Sequence, residues 1–309
     1  MKISIIGAGQ VGGQAAFLAA AAGLGDVVLA DTKPGLARGK ALDIGQSLAI
    51  TAGDATILGT EDLVQSANSD VIVVTAGLAR RPGMTRHDLL AANGKVVMAV
   101  VPEALRWSPD AIVIIVTNPI NTMTYLAYKA SGLPRERIIG MAGMLDNARF
   151  AYFIASELAI PVRDVTSWVI GDHGDYLVPV VSQTRVGGVP LAERISVPQL
   201  ERVCTRTRNA GTEILAHLQQ GSAYFAPGAA ICRMAKAIGD NEQTAMPCSV
   251  YLQGEYGVKD VIVGVPIVLG RGGLAKIAEF DLAVGEQEQF RVAATHIQEI
   301  NRQALRLIS

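Results

Sequence analysis

The 309-residue chain lacks the features that mark several large classes of protein. Its formal net charge is −1, so it has no excess of basic residues for a nucleic-acid partner. Its three cysteines include no CxxC pair, which argues against a cysteine zinc site, and their odd number argues against a disulfide scaffold. No metal site is predicted. An odd number of widely spaced cysteines is typical of a reduced, cytoplasmic chain, and we expect each to be buried apolar filler: Cys204, Cys232 and Cys248.

A long uninterrupted apolar run is also absent. No charged residue occurs from Ile3 to Gly25, and Lys2 precedes the stretch, as in a secretory signal peptide. The glycines and glutamines between Gly7 and Gln14 divide it, whereas a signal peptide needs about 7–15 continuous apolar residues and a membrane span about 20. The longer piece, "AAFLAAAAGLG", lies too far behind the glycines. We therefore expect no targeting segment and no membrane partner.

Glycine is abundant, with 32 residues against a usual share of roughly 7%, and it falls in short clusters between apolar runs. In the first half, short apolar strands alternate with Ala-rich or amphipathic helices. This alternation predicts a doubly wound parallel sheet, the Rossmann architecture of α/β proteins. The predicted strands are 2–6, 27–30, 55–58, 71–75, 112–116 and 138–140, and helices include 11–22, 39–47 and 89–107.

The pattern changes near residue 146, which divides the chain into a predicted dinucleotide-binding domain, 1–145, and an α+β substrate domain, 146–309. Predicted helices in the second part are 147–160, 198–218 and 286–308, and predicted strands are 166–171, 176–181 and 260–270. No Pro/Ser-rich linker separates the parts, so we expect them to pack tightly. The glycine-rich segment 270–277 lacks the Lys-Ser/Thr of a P-loop and is interpreted as a turn from a strand into a helix.

The first strand is followed by a GxGxxG sequence that opens a helix: Gly7, Ala8, Gly9, Gln10, Val11 and Gly12. In such a loop the glycines permit a tight turn, close approach of backbone to a pyrophosphate, and close helix–strand packing. Asp31 ends the second strand, where a carboxylate can accept both ribose hydroxyls and repel a 2′-phosphate, which favours NAD over NADP. The alternative is a glycine-rich turn beside a solvated aspartate.

One of the four histidines stands out. His217 and His296 lie in helical patterns, whereas His173 lies in "VIGDHGDYLVP" at the end of an apolar strand. This position fits either a catalytic histidine or a histidine in a turn. Hydride removal from a secondary alcohol requires a base near working pH, and a carboxylate partner fixes the histidine tautomer. Asp146 is a candidate partner, and Arg149 would share its face of a helix. The alternative is an exposed intrahelical pair.

Five motifs together resemble the lactate/malate dehydrogenase family in order and spacing: "IIGAGQVG", "VTAGLARRPGMTR", "IVTNPINTMTYLA", "GMLDNARF" and "GDHGDYLVP". The resemblance covers nearly the whole chain and is nearest to the lactate-dehydrogenase-like bacterial malate dehydrogenases. It implies that His173 accepts the proton, that Asp146 orients it and that Arg149 grips the substrate C1 carboxylate. It further implies that Asn118 contacts substrate and nicotinamide, and that the cofactor site includes Asn93, Val116, Thr117 and Asn118.

The same resemblance places Arg80 and Arg86 on a loop that closes over the site. Arg80 would then hold the second carboxylate of a dicarboxylate and Arg86 would polarise the reacting carbonyl, while Arg81 is spare. Lactate enzymes of the family carry glutamine at the Arg80 position, so (S)-malate and oxaloacetate are the expected substrates, in the tricarboxylic acid cycle. Pyruvate would leave a desolvated cation without a partner.

Asp172 stands where other members of the family often have a glycine or a glutamate, and we expect this departure hardly to affect the role of His173. Two alternatives remain beside malate dehydrogenase: a lactate or other 2-hydroxy-acid dehydrogenase, and a non-catalytic dinucleotide-binding protein. The resemblance implies a homo-oligomer, and both a homodimer and a homotetramer remain open.

Overall fold

The computed structural model describes residues 1–51, 53–78 and 85–308. Its first half contains six parallel strands in the order β3-β2-β1-β4-β5-β6, which confirms the predicted doubly wound sheet. The strands are short and mostly buried because helices cover both faces, as their apolar sequences require. The bounds are β1 Lys2–Ile6, α1 Gln10–Ala21, β2 Asp26–Ala30, α2 Leu36–Thr51, β3 Ile57–Thr60, β4 Val71–Val74, α3 Arg86–Trp107, β5 Ile112–Ile115, α4 Ile120–Ser131 and β6 Ile138–Gly140.

The second half is α+β, as predicted. Its long antiparallel pair, β12 and β13, is flanked by the shorter strands β8, β9 and β14, and a separate small sheet has the order β11-β10-β7. The bounds are α5 Ala142–Leu158, β7 Val165–Thr166, β8 Val169–Gly171, β9 Leu177–Pro179, β10 Arg185–Val186, β11 Val189–Pro190, α6 Val197–Leu218, α7 Phe225–Gly239, β12 Thr244–Gln253, β13 Lys259–Gly270, β14 Gly273–Ile277 and α8 Val284–Ile308.

The two halves share one sheet. β12 pairs with β6 where Ser249 lies opposite Gly140, and β13 pairs with β8 where Gly264 lies opposite Gly171. A Cβ on Gly140 would lie 2.9 Å from the Cβ of Ser249, so the absence of a side chain allows this close approach. Helix α1 also packs on α7. The second half of the chain is therefore attached directly to the edge of the parallel sheet.

Two features differ from the sequence-based expectations. The prediction that 270–277 leads into a helix was wrong: Gly273, with φ +91°, begins β14, which turns back and pairs with β13 as a hairpin. Strand β12 was not among the predicted strands. Of the cysteines, all three free, Cys248 is fully buried, whereas Cys204 and Cys232 are only partly buried. Within the described residues, no helix combines the length and apolarity needed to cross a membrane.

Candidate active site

The predicted site segments converge at the carboxyl ends of the parallel strands. The glycine-rich loop follows β1, Asp31 follows β2, and Asn118 comes shortly after β5, so all lie beyond the carboxyl ends of parallel strands. The strand order reverses between β1 and β4, which is where ligands bind in doubly wound sheets.

Each glycine of the loop has a separate steric reason. Gly7 has φ +110°, and a Cβ on Gly12 would lie 1.8 Å from the Gly7 carbonyl oxygen, so both positions require glycine. A Cβ on Gly9 would meet nothing within 4 Å, which leaves open space where a pyrophosphate can approach the backbone. Helix α1 begins immediately afterwards, with no acidic residue in its first turn to compete for the positive end of its dipole. The loop therefore fits a dinucleotide phosphate.

Asp31 and Lys40 fix this loop from the second strand and from helix α2. The Ala8 N–H donates to Asp31 Oδ2 at 2.7 Å, and Lys40 Nζ donates to the Gly9 carbonyl at 2.8 Å. Burial lowers the pKa of Lys40, and the nearby Asp31 charge partly offsets this. Sequence reasoning missed Lys40, since a lysine inside an amphipathic helix gives no local signal. Its position adds positive charge beside the expected phosphate site.

Asn93 joins the loop after β4 to the loop after β5, on the nicotinamide side of the expected cofactor site. Its side chain is 1% exposed, accepts from the Leu78 N–H at 2.7 Å and donates to the Asn118 carbonyl at 2.7 Å. Thr117 Oγ1 donates to the Ala76 carbonyl at 2.7 Å, and Val116 is buried. Asn118 itself is exposed at this edge. The predicted cofactor residues after β5 are thus brought together with Asn93, whose side chain fixes backbone on both sides.

The structure also brings His173, Asp146 and Arg149 together. His173 Nδ1 lies 2.8 Å from Asp146 Oδ2, and Arg149 Nη1 lies 3.4 Å from Asp146 Oδ1. Asp146 is buried in α5, and Arg149, three residues later, lies on the same helix face. The His173 side chain keeps 21% of its surface exposed. One buried carboxylate therefore holds a histidine and an arginine at an accessible edge.

Burial lowers the pKa of His173, but the charge of Asp146 and its hydrogen bond more than compensate, so the pKa is raised from its ordinary value of 6.5. Arg149 opposes this rise, and Asp172 supports it. With Asp146 accepting at Nδ1, the neutral ring carries its proton on Nδ1 and presents an unprotonated Nε2. That nitrogen can take a proton from a substrate hydroxyl.

Further polar contacts connect His173 to the cofactor side. The Asn121 side chain donates from Nδ2 to Asp172 Oδ1 at 2.7 Å, and the same oxygen accepts from the His173 N–H at 2.8 Å. Sequence reasoning gave no role to Asn121. The predictions for Arg80, Arg81 and the side chain of Arg86 lie outside the described residues.

Similarity to known proteins covers both halves of the chain. Residues 1–140 match the lactate/malate dehydrogenase NAD binding domain, and residues 143–307 match the lactate/malate dehydrogenase alpha/beta C-terminal domain. The malate dehydrogenase of Desulforudis audaxviator is 48% identical over 289 residues, covering 94% of each chain.

Two solved structures superpose on nearly the whole chain. The malate dehydrogenase of Salinibacter ruber has a TM-score of 0.95 at 42% identity, covering 99% of this chain and 98% of its own. The lactate dehydrogenase of Cryptosporidium parvum, complexed with lactic acid and nicotinamide adenine dinucleotide, also has a TM-score of 0.95, at 38% identity and with 98% and 97% covered. Together with the glycine loop and the histidine–aspartate pair, these matches show that the chain belongs to the lactate/malate dehydrogenase family.

Proposed function

We propose that the chain is an NAD-dependent malate dehydrogenase, which interconverts (S)-malate and NAD with oxaloacetate and NADH. The observation that carries the proposal is the buried Asp146 carboxylate, which contacts His173 on one oxygen and Arg149 on the other. A protein that only binds a dinucleotide needs no histidine base held by a buried carboxylate. The malate dehydrogenases among its relatives agree with this function.

The residues present fit NAD. The open space at Gly9 and the free start of α1 would receive the pyrophosphate, and Lys40 would add charge there. Asp31 would bind the adenosine ribose hydroxyls, while Asn93, Thr117 and Asn118 would lie on the nicotinamide side. When bound, the nicotinamide supplies the hydride acceptor for the malate C2 hydrogen. The loop and the acid–base pair thus divide binding and proton transfer between them.

His173 performs the proton transfer. In malate oxidation its Nε2 accepts the C2 hydroxyl proton, and Asp146 stabilises the resulting imidazolium through Nδ1. In the reverse direction the imidazolium returns the proton to the forming alkoxide. Because the pKa of His173 is raised, the protonated form that reduction needs is present over a wider pH range. Arg149 grips the C1 carboxylate with its planar fork.

Substrate choice is assigned to the loop arginines. Arg80 would pair with the C4 carboxylate, which malate has and lactate lacks, and Arg86 would polarise the C2 oxygen. The lactate dehydrogenase of Cryptosporidium parvum superposes as closely as the malate enzyme of Salinibacter ruber, so the fold does not separate the two substrates. A lactate or other 2-hydroxy-acid dehydrogenase is therefore the second candidate.

We further propose that residues 1–145 bind the cofactor and 146–309 complete the substrate site. We also propose that the chain forms a homodimer or a homotetramer in the cytoplasm. It would act there in the tricarboxylic acid cycle. The three free cysteines support a reduced compartment. Tyr152, on α5, is an aromatic side chain with 62% of its surface exposed, and contact with a second copy would bury it.

A steady-state assay of NADH and NADPH against oxaloacetate and pyruvate tests the function. We expect oxaloacetate with NADH to be the preferred pair, because Asp31 disfavours a 2′-phosphate and Arg80 disfavours a methyl group. Preference for pyruvate would support the second candidate. NADH binding without turnover of any 2-oxo acid would reject both and leave a dinucleotide-binding protein.

A further inference from the structure

A series of three polar side chains ends on the backbone of His173. Ser249, on β12, donates its hydroxyl to Asn121 Oδ1 at 2.6 Å. Asn121 donates from Nδ2 to Asp172 Oδ1 at 2.7 Å, and that oxygen also accepts from the His173 N–H at 2.8 Å. Three separate parts of the chain therefore meet at the proton acceptor.

The donors and acceptors present fix the direction of each hydrogen bond in the series. Ser249 is fully buried and Asn121 is 2% exposed. Asp172 Oδ1 already accepts from the His173 N–H, so Asn121 turns its NH₂ group toward this oxygen and its own oxygen toward Ser249. The amide consequently has one arrangement, and it holds Asp172 in one place.

The position of the series gives it a bearing on catalysis. Asn121 is in the first turn of α4, three residues after Asn118, while Asp172 follows β8 directly. Gly171 has φ +91° and faces Gly264 of β13, on which a Cβ would lie 2.9 Å from the Gly171 carbonyl oxygen. The backbone that leads into His173 thus packs closely on β13. Asp172 connects it to the Asn118 turn, the segment from Asn118 to Asn121 at the start of α4.

We propose that Asp172 is a positioning residue that fixes the His173 backbone relative to the Asn118 turn, through its bond to Asn121. Asp146 bonds to the ring of the histidine, and Asp172 bonds to its main chain. The expectation that Asp172 hardly affects His173 left out this backbone contact. The inference rests on the proposed function, since it concerns the placement of that base.

The test compares Asp172→Ala with Asp172→Asn in the full chain, using oxaloacetate and NADH. Displacing a reacting group by about 1 Å can slow a reaction roughly 100-fold, so we expect Asp172→Ala to lower kcat by about 10- to 100-fold. The KM for oxaloacetate should stay close to wild type because Arg149 is untouched. Asp172→Asn should restore most of kcat, because its amide oxygen can still accept both hydrogen bonds.

A double-mutant cycle separates this series from general damage to the fold. Asn121→Ala should lower kcat like Asp172→Ala, and the double variant should be no slower than either, because each removes the same connection. The matched control is Asp70→Ala, which removes a carboxylate that accepts the Lys2 backbone N–H at 2.7 Å, at the amino ends of β1 and β4 and away from the site. Asp70→Ala should leave kcat unchanged.

A wild-type kcat in Asp172→Ala, or an Asp172→Asn variant as slow as Asp172→Ala, would overturn the inference while leaving the proposed function intact. Additive losses in the double variant would overturn it too. A wild-type chain that binds NADH but reduces no 2-oxo acid would instead reject the proposed function, and this inference with it.

Discussion

The cofactor loop and the catalytic cluster are built in different ways. In the loop, the contacts are made mainly to backbone groups: the Ala8 N–H, for example, donates to Asp31, 23 positions later in the sequence. The cluster is built from side chains: Asp146 and His173 are 27 positions apart in the sequence, and Asn121 and Ser249 are 128 positions apart. Changes in the loop should therefore act through shape, and changes in the cluster through charge and hydrogen bonding.

The largest expected effect separates catalysis from binding. His173→Asn should lower kcat for malate oxidation by about 10²- to 10⁴-fold, since a positioned acid–base group contributes that much. The Kd for NADH, measured by fluorescence titration, should not change because His173 is outside the phosphate loop. A variant that retains wild-type turnover would show that another group accepts the proton.

Substrate preference should change next most strongly. Arg80→Gln should reduce the preference for oxaloacetate over pyruvate, as the ratio of kcat/KM values, by a factor on the order of 10², because the C4 carboxylate loses its cation. Arg81→Gln is the matched control and should leave the ratio unchanged. An equal ratio in wild type and Arg80→Gln would remove Arg80 from substrate recognition.

Two glycines of the loop provide a smaller but sharper contrast. Gly12→Ala would place a Cβ 1.8 Å from the Gly7 carbonyl oxygen, so the free energy of unfolding should fall by about 1–3 kcal/mol. Gly9→Ala meets no atom within 4 Å and should fold normally. Its methyl group would occupy the phosphate space, so the Kd for NADH should rise about tenfold, about 1.4 kcal/mol.

Thermal melts and NADH titrations of both variants check this contrast. A destabilised Gly9→Ala variant, or one that binds NADH like the wild type, would contradict the assignment of open space at Gly9 to the phosphate.

Much of the first half could be predicted from sequence because its signals are local. Apolar strands, turn glycines and an aspartate at a strand end all lie within short segments, and the parallel sheet was confirmed. Strand β12 was missed: it contains Pro247, which argues against a central strand, and it lacks the long apolar run that indicated β13 despite Pro266. The structure pairs Pro247 with Pro266 of β13, a partner that no local pattern indicates.

The catalytic cluster was foreseen only in part. Asp146, Arg149 and His173 were indicated by motifs, and the structure places them together. Asn121 and Ser249 were not, because a buried hydrogen bond between residues 128 positions apart depends on how the sheet brings its strands together. The hairpin at 270–277 was mistaken for a helix entry for a similar reason, since pairing with β13 decides it.

The most direct test is the pH dependence of kcat/KM for malate in the wild type and in Asp146→Asn. Oxidation needs neutral His173, so the rate should rise with pH, with a midpoint above 6.5 in the wild type because Asp146 raises the pKa. In Asp146→Asn the charge is gone and burial dominates, so the midpoint should move to lower pH. The same midpoint in both proteins would contradict the account that Asp146 tunes His173 as the base.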